Sequence, residues 1–393
     1  MSDFAPVFID QPRQLEELCR HLAQQSVIGL DTEFISEGRY EPELCLVQLS
    51  TPEGIWIVDP LAVGEMAELW RILTAETVEL VTVAARQEIK FCTKGAGRPP
   101  AKVLDLQVAA GLLGFGFPLS HTNLVLRLLN TRVHGGESFT DWRRRPLTPI
   151  QLEYAADDVR YLLAMRQKLL QKGEKEQRQS WVDGECAALL AVASRDEEKW
   201  MVAGSARLGR RQLAALHEVW RWRDAEARRV NQPSSRILSD TMLVEIAKRS
   251  PSSVEDLFAI RGLDRRLLRN GEKAIMEALE RARQLSEEAL PVYHRREDPP
   301  QVNVITKLLS VAANGLAAEN GIDPALLATT ADLQELVRWY LAGQPEPLPQ
   351  AMSGWRGEIL GAPLMGFLEG KNCVRVANVK RANPLVFEKY PGQ

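Results

Sequence analysis

The chain has 393 residues, 45% apolar and 26% charged, with a formal net charge of −3; that length carries two or three domains, and that composition excludes global disorder. No apolar run approaches the ~20 residues of a membrane helix. Five widely spaced cysteines without a C-x-x-C pair argue against a disulfide framework or a zinc ribbon and suit a reducing cytosol.

Taken in order, residues 6–9 predict a short edge strand, 11–24 a helix, and 26–34 an apolar strand ending in acidic residues. Residues 44–50 and 54–58 read as further strands, 65–73 as a helix, 78–84 as a β-branched strand, and a helix starts near Arg86. This alternation predicts an α/β domain with a buried sheet. From Asp105 onward the pattern is almost wholly helical. Thr148-Pro149-Ile150-Gln151 combines a cap, a proline suited to the first helical position and a capping-box glutamine. Its helix runs to about Lys172. Residues 213–230 form an amphipathic helix, followed by short helices at 241–249 and 254–258, the latter with a Ser252-x-x-Glu255 capping box, and by 274–283. Residues 287–300 read as a linker, 302–368 as a second helical unit on a similar plan, and 371–393 as an irregular tail. The stretch from Ser205 to Leu285 holds 17 Lys/Arg against 11 Asp/Glu, so a basic region accompanies an acidic remainder. Met-Ser-Asp-Phe-Ala-Pro at the start has neither a basic nor an apolar leader region, and the expectation is a soluble, cytoplasmic protein.

Asp31-Thr32-Glu33 closes the third segment. Strand alternation sends Asp31 and Glu33 to one face, where two carboxylates repel unless cations neutralise them; hard oxygen ligands suit Mg²⁺ or Mn²⁺. An ordinary polar strand end is the plainer reading of the triplet alone. On the Thr148 helix, Tyr154 and Asp158 stand one turn apart on one face, offering a hydroxyl and a metal ligand, or else a packed ring above a solvated acid. Asp105 is read as a helix cap ahead of a catalytic acid, and His121 and His134 as structural or surface residues.

Together these residues resemble the exonuclease motifs of the DEDD superfamily, tyrosine branch, and are closer still to the RNase D family. Leu30-Asp31-Thr32-Glu33-Phe34, Leu46-Val47-Gln48-Leu49, Asp105-Leu106-Gln107-Val108-Ala109-Ala110, Thr140-Asp141-Trp142-Arg143-Arg144-Arg145-Pro146-Leu147 and Gln151-Leu152-Glu153-Tyr154-Ala155-Ala156-Asp157-Asp158 carry the likeness over most of residues 5–172. One stretch departs from it. Where the family pattern reads His-Ala-x-x-x-Asp-Leu, this chain has Val83-Ala84-Ala85-Arg86-Gln87-Glu88-Ile89, so Val83 replaces the histidine and Glu88 the aspartate. Residues 210–216 through 274–276 resemble the HRDC domain, and the last helical unit resembles the second HRDC-like domain of the same enzymes.

The resemblance implies a ribonuclease H-like α/β exonuclease domain with a mixed sheet (1–204, with a helical extension), an HRDC domain (205–286), a linker (287–300), a second HRDC-like bundle (301–370) and a tail (371–393). It implies a 3′→5′ exoribonuclease acting on single-stranded RNA 3′ ends, precursor tRNA in particular, with two divalent ions (Mg²⁺ or Mn²⁺), nucleoside 5′-monophosphate products and no obligate protein partner. Asp31 would bridge both ions, Glu33 and Asp158 would hold one, Glu88 the other, and Tyr154 would orient water. Thr32, Phe34, Gln48, Arg143, Arg228, Arg229, Arg261 and Arg265 are the candidate substrate contacts, although Phe34 also suits a core, Gln48 a buried hydrogen bond, and the arginines a solvated face. Two alternatives remain: a catalytically silent RNA-binding protein with the same fold, and a DNA-directed exonuclease.

Overall fold

In the computed structural model, which describes residues 4–133, 136, 140–195, 198–263, 268, 271–292, 298–381 and 383–390, the first half folds as a six-stranded mixed sheet with flanking helices. Its strands are β1 (Val7–Ile9), β2 (Val27–Ile35), β3 (Glu43–Thr51), β4 (Gly54–Val58), β5 (Glu79–Thr82) and β6 (Lys102–Asp105), in the order β1-β4-β3-β2-β5-β6. β1 runs parallel to β4 and antiparallel pairing joins β4 to β3, whereas β2, β5 and β6 are mutually parallel. The central strands are covered on both faces, which is why they read as near-continuous apolar runs: Ile28, Leu30, Leu46, Leu49 and Ile57 are all fully buried. β6 is a strand that the sequence pattern does not announce. Its four residues are too few to show alternation, and register with β5 (Val81 opposite Leu104) creates it.

Helix α1 (Pro12–Leu22) buries Leu15, Leu18 and Leu22, and α4 (Arg86–Ala96) buries Ile89, Phe91 and Cys92. The Thr148 helix starts as expected. Thr148 Oγ1 accepts from Gln151 N at 3.2 Å, and Gln151 Oε1 accepts from Thr148 N at 2.9 Å. It does not run unbroken to Lys172 but divides at Tyr161 (φ −101°, ψ −7°) into α7 (Pro149–Arg160) and α8 (Leu162–Lys175). Ser50 Oγ donates to the Val159 carbonyl at 2.9 Å, tying the last turn of α7 to β3 rather than to the next helical turn. Gly29 permits this approach: a Cβ there would sit 2.2 Å from Ser50 Oγ and 3.2 Å from Leu162 Cδ1. The missing side chain lets the α7–α8 junction rest on β2, next to the acidic end of that strand.

The described chain divides into two compact units. One comprises Met1–Glu33, Cys45–Arg195 and Asp298–Gln393; the other comprises Phe34–Leu44 and Asp196–Glu297. The second unit is a helical bundle built on α10 (Arg210–Val230), whose Leu213, Leu216 and Val219 share a core with Leu243, Ile246, Leu257, Ile275 and Leu279. Residues 34–44 belong to this bundle, where Tyr40 Oη donates to Asp224 Oδ1 at 2.6 Å and Asn231 Oδ1 accepts from the Tyr40 and Glu41 amides. The short helix Val254–Phe258 is capped by Ser253, which accepts from Asp256 N, one residue later than the expected Ser252 box; Ser252 Oγ instead donates to the Asp256 carboxylate at 2.8 Å.

The last helical segment, expected as a separate bundle, lies in the same compact unit as the sheet. Polar hooks explain why. Asp323 Oδ2 accepts from Phe117 N, the Asp323 amide donates to the Gly111 carbonyl, and Arg178 donates to the carbonyls of Leu112 and Asn320. Arg356 forks onto Glu185 at 2.5 and 2.8 Å, beside a Trp181–Trp355 stack with centroids 5.2 Å apart. The tail is not irregular. It forms an antiparallel hairpin, Asn372–Val376 with Leu385–Lys389, and Phe387 meets Phe367 edge to face across Gly315, where a Cβ would clash at 2.5 Å. No helix among the described residues is long and apolar enough to cross a membrane.

Candidate active site

β2 and α7 bring the two acidic motifs together. Ligand oxygens of Asp31, Glu33 and Asp158 all lie within 4.8 Å of one another. They face a cavity of about 180 Å³ that is also lined by Tyr154, His121, Val83, Leu30 and Leu162. Tyr154 hydrogen-bonds Asp158 one turn along α7, and its ring lies 6.0 Å, centroid to centroid, from the buried Trp142 ring. Arg145 fixes the segment carrying Trp142: it donates to the Trp142 and Cys45 carbonyls and pairs with both carboxylate oxygens of Asp59 at 2.5 and 2.7 Å.

Burial and crowding hold protons on this cluster. Burial, then the carboxylates of Asp158, Glu88 and Glu33, raises Asp31 well above the usual carboxylate range. Burial, with Asp158 and Glu88 adding to it, pushes Glu33 up to about 8. Burial, with some help from Asp157, takes Asp158 to about 7, and the Tyr154 hydrogen bond works against the rise. Among the described residues no Lys or Arg pairs with any of the three. A half-buried, all-oxygen donor set that strains to shed charge fits a hard divalent cation.

Glu88 stands outside the group of three. It occupies the first turn of α4, is 5% exposed and accepts from Thr32 Oγ1 at 2.9 Å. Burial raises it to about 7 against the pull of that hydrogen bond and of its backbone. The turn before it holds Ala84 in a left-handed conformation, φ 62°. Asp105 secures this turn by accepting from the Ala84 and Ala85 amides at 3.3 and 2.9 Å while capping the helix Leu106–Leu112.

The expected substrate contacts fare differently. Thr32 is buried and spends its hydroxyl on Glu88; Gln48 is fully buried, and neither of its amide atoms has a hydrogen-bond partner among the described residues. Phe34 is half-buried at the end of β2. Arg143 forks onto Asp141, Arg228 pairs with Asp224 and lies over the Tyr40 ring, and Arg229 pairs with Glu226. Arg261 is exposed. Arg265 and His134 lie outside the described residues. His121, read from the sequence as a structural or surface residue, lines the cleft, and burial pushes its imidazole down to about 4. No spacing ties it to either acidic motif.

The mixed sheet, the carboxylate trio on β2 and α7 and the adjoining tyrosine define a 3′→5′ exonuclease of the DEDD type. Comparison with known proteins agrees. A 3′-5′ exonuclease family model matches residues 6–174, and an HRDC domain model matches residues 212–279. Ribonuclease D of Gluconacetobacter diazotrophicus is 35% identical over 96% of this chain and 96% of its own length. That of Granulibacter bethesdensis is 33% identical over 95% of each. The crystal structure of Escherichia coli RNase D, an exoribonuclease involved in structured RNA processing, superposes with a TM-score of 0.82 at 27% identity, covering 93% of this chain and 99% of that one. The chain belongs to the ribonuclease D family and is a 3′→5′ exoribonuclease.

Proposed function

We propose that this enzyme trims single-stranded 3′ ends of RNA, precursor tRNA among them, one nucleotide at a time in the cytoplasm. The observation that carries the reading is the convergence of Asp31, Glu33 and Asp158 within 4.8 Å, with Tyr154 on Asp158. These three carboxylates would hold divalent cations, Mg²⁺ or Mn²⁺, two in number, with Glu88 serving the second through water. Bound there, the cations supply charge neutralisation at the scissile phosphate and a more acidic water. Tyr154 acts from Asp158 as a hydrogen-bonding orienter; a phenol is ordinarily protonated at pH 7 and is a poor base. Water oxygen bonds to phosphorus, the bond to the preceding 3′-oxygen breaks, and that oxygen leaves protonated as the new 3′-hydroxyl.

The arginine-rich helical bundle over 205–286 would hold RNA phosphates with a salt-sensitive contribution, as an HRDC domain between the exonuclease domain (1–204) and, past a linker, the second HRDC-like bundle (301–370). All five cysteines are free and four are buried, which suits a reducing compartment. The processing of structured RNA by the Escherichia coli relative supports a tRNA-like substrate. Chromatography of products from an end-extended tRNA precursor, beside a matched DNA strand, tests the reading. Nucleoside 5′-monophosphates from the RNA are expected. Internal fragments, nucleoside 3′-monophosphates, or preference for the DNA would overturn it.

A further inference from the structure

His121 opens the helix His121–Leu129, placed by Ser120, whose side chain accepts from the Asn123 amide. Its side chain is 14% exposed, and Nδ1 lies 3.6 Å from Asp158 Oδ1. Among the described residues Nε2 is buried without a hydrogen-bond partner. A buried polar atom left unpaired is destabilising, so leucine would serve packing alone better than imidazole does. What accounts for the imidazole is its other nitrogen, which faces a carboxylate of the trio. A separation of 3.6 Å is slightly longer than a hydrogen bond, a range from which catalytic contacts commonly tighten when substrate binds. Val83, where the family pattern carries a histidine, lines the same cleft with no polar group to offer.

We infer that His121 is a positioning residue: its Nδ1–H, brought by the helix His121–Leu129, fixes the Asp158 carboxylate in the orientation that receives a divalent cation. The inference rests on the metal reading of the trio. Outer partners of this kind set ligand direction, and their loss typically weakens metal binding by roughly 10–100-fold. Asn at position 121 can donate from near the place of Nδ1; Gln reaches to the place of Nε2, and Leu donates nothing.

The full-length chain and its His121→Asn, His121→Gln and His121→Leu variants would be titrated with Mn²⁺ alone, without RNA, reading the metal-dependent rise in melting temperature. Exonuclease KM for RNA would be measured at saturating Mn²⁺. The expected result is a half-saturating Mn²⁺ concentration raised at least about tenfold in the Leu and Gln variants. The Asn variant should stay near wild type, and KM for RNA should be unchanged throughout. Equal Mn²⁺ titrations for Leu and wild type, or an Asn variant as impaired as Gln, would overturn the inference and leave His121 a packing residue. The Asn–Gln comparison decides the matter even if the Leu variant does not fold. A wild-type chain that shows no Mn²⁺ response at all would overturn the metal reading and this inference with it.

Discussion

Replacing Asp31 with asparagine keeps the shape of the side chain and removes one negative charge from a trio whose oxygens lie within 4.8 Å of one another. At an effective dielectric of 20, each such pair repels by about 3.5 kcal/mol. The metal-free protein relieves this by holding protons, and Asp31 is raised well above the ordinary range. Holding a proton on an aspartate that ordinarily ionises near 3.9 costs free energy that rises by about 1.4 kcal/mol for each pH unit above that value. The sign follows from the raised folded pKa: the cost is absent below the unfolded value and grows as pH rises toward the folded one. Asp31→Asn should therefore raise the metal-free melting temperature by about 5–10 °C at pH 8 and by little at pH 5. Saturation with Mn²⁺ at 100 times its Kd should stabilise wild type by about 2.7 kcal/mol and the variant hardly at all. Thermal melts at the two pH values, with and without Mn²⁺, check this. A variant less stable than wild type at pH 8 without metal, or one that keeps the full Mn²⁺ shift, would refute the electrostatic reasoning.

Because Glu33 is raised to about 8 and Asp158 to about 7, Mn²⁺ must displace protons, and its affinity should climb between pH 6 and pH 8.5. Calorimetry at pH 7 in two buffers of different ionisation heat should detect proton release on Mn²⁺ addition; identical heats would contradict the raised values. Thr32→Val removes the 2.9 Å hydrogen bond to buried Glu88, and urea unfolding should show a loss of about 1–3 kcal/mol that Glu88→Gln does not add to in full. Gly29→Ala brings a methyl to 2.2 Å from Ser50 Oγ; the expected cost is about 1–3 kcal/mol, and Ser50→Ala in the same chain should return part of it.

The acidic motifs were legible because they lie on strongly patterned elements: alternation on β2 fixes Asp31 and Glu33 to one face, and the capped start of α7 fixes the phase that puts Tyr154 above Asp158. What remained hidden depends on contacts between distant segments. The break at Tyr161 follows from Ser50 holding the Val159 carbonyl, and the end of the chain pairs as a hairpin around Phe387 although its residues carry no clear period. Glu88 was placed by motif order, but its tie to Thr32, 56 positions away, has no local signature. His121 enters the cleft only because its helix packs there, so no pattern along the chain could report it. The basic residues show the reverse: Arg143, Arg228 and Arg229 look available in the sequence and are engaged with neighbouring acids in the fold.

The most direct test of the central claim is a denaturing-gel time course on 5′-labelled single-stranded RNA with Mg²⁺ or Mn²⁺, with wild type beside Asp31→Asn. A ladder that shortens stepwise from the 3′ end with wild type, and is absent with the variant and in excess chelator, is the predicted result. Tight RNA binding without shortening under either metal, or equal shortening by the variant, would contradict the account.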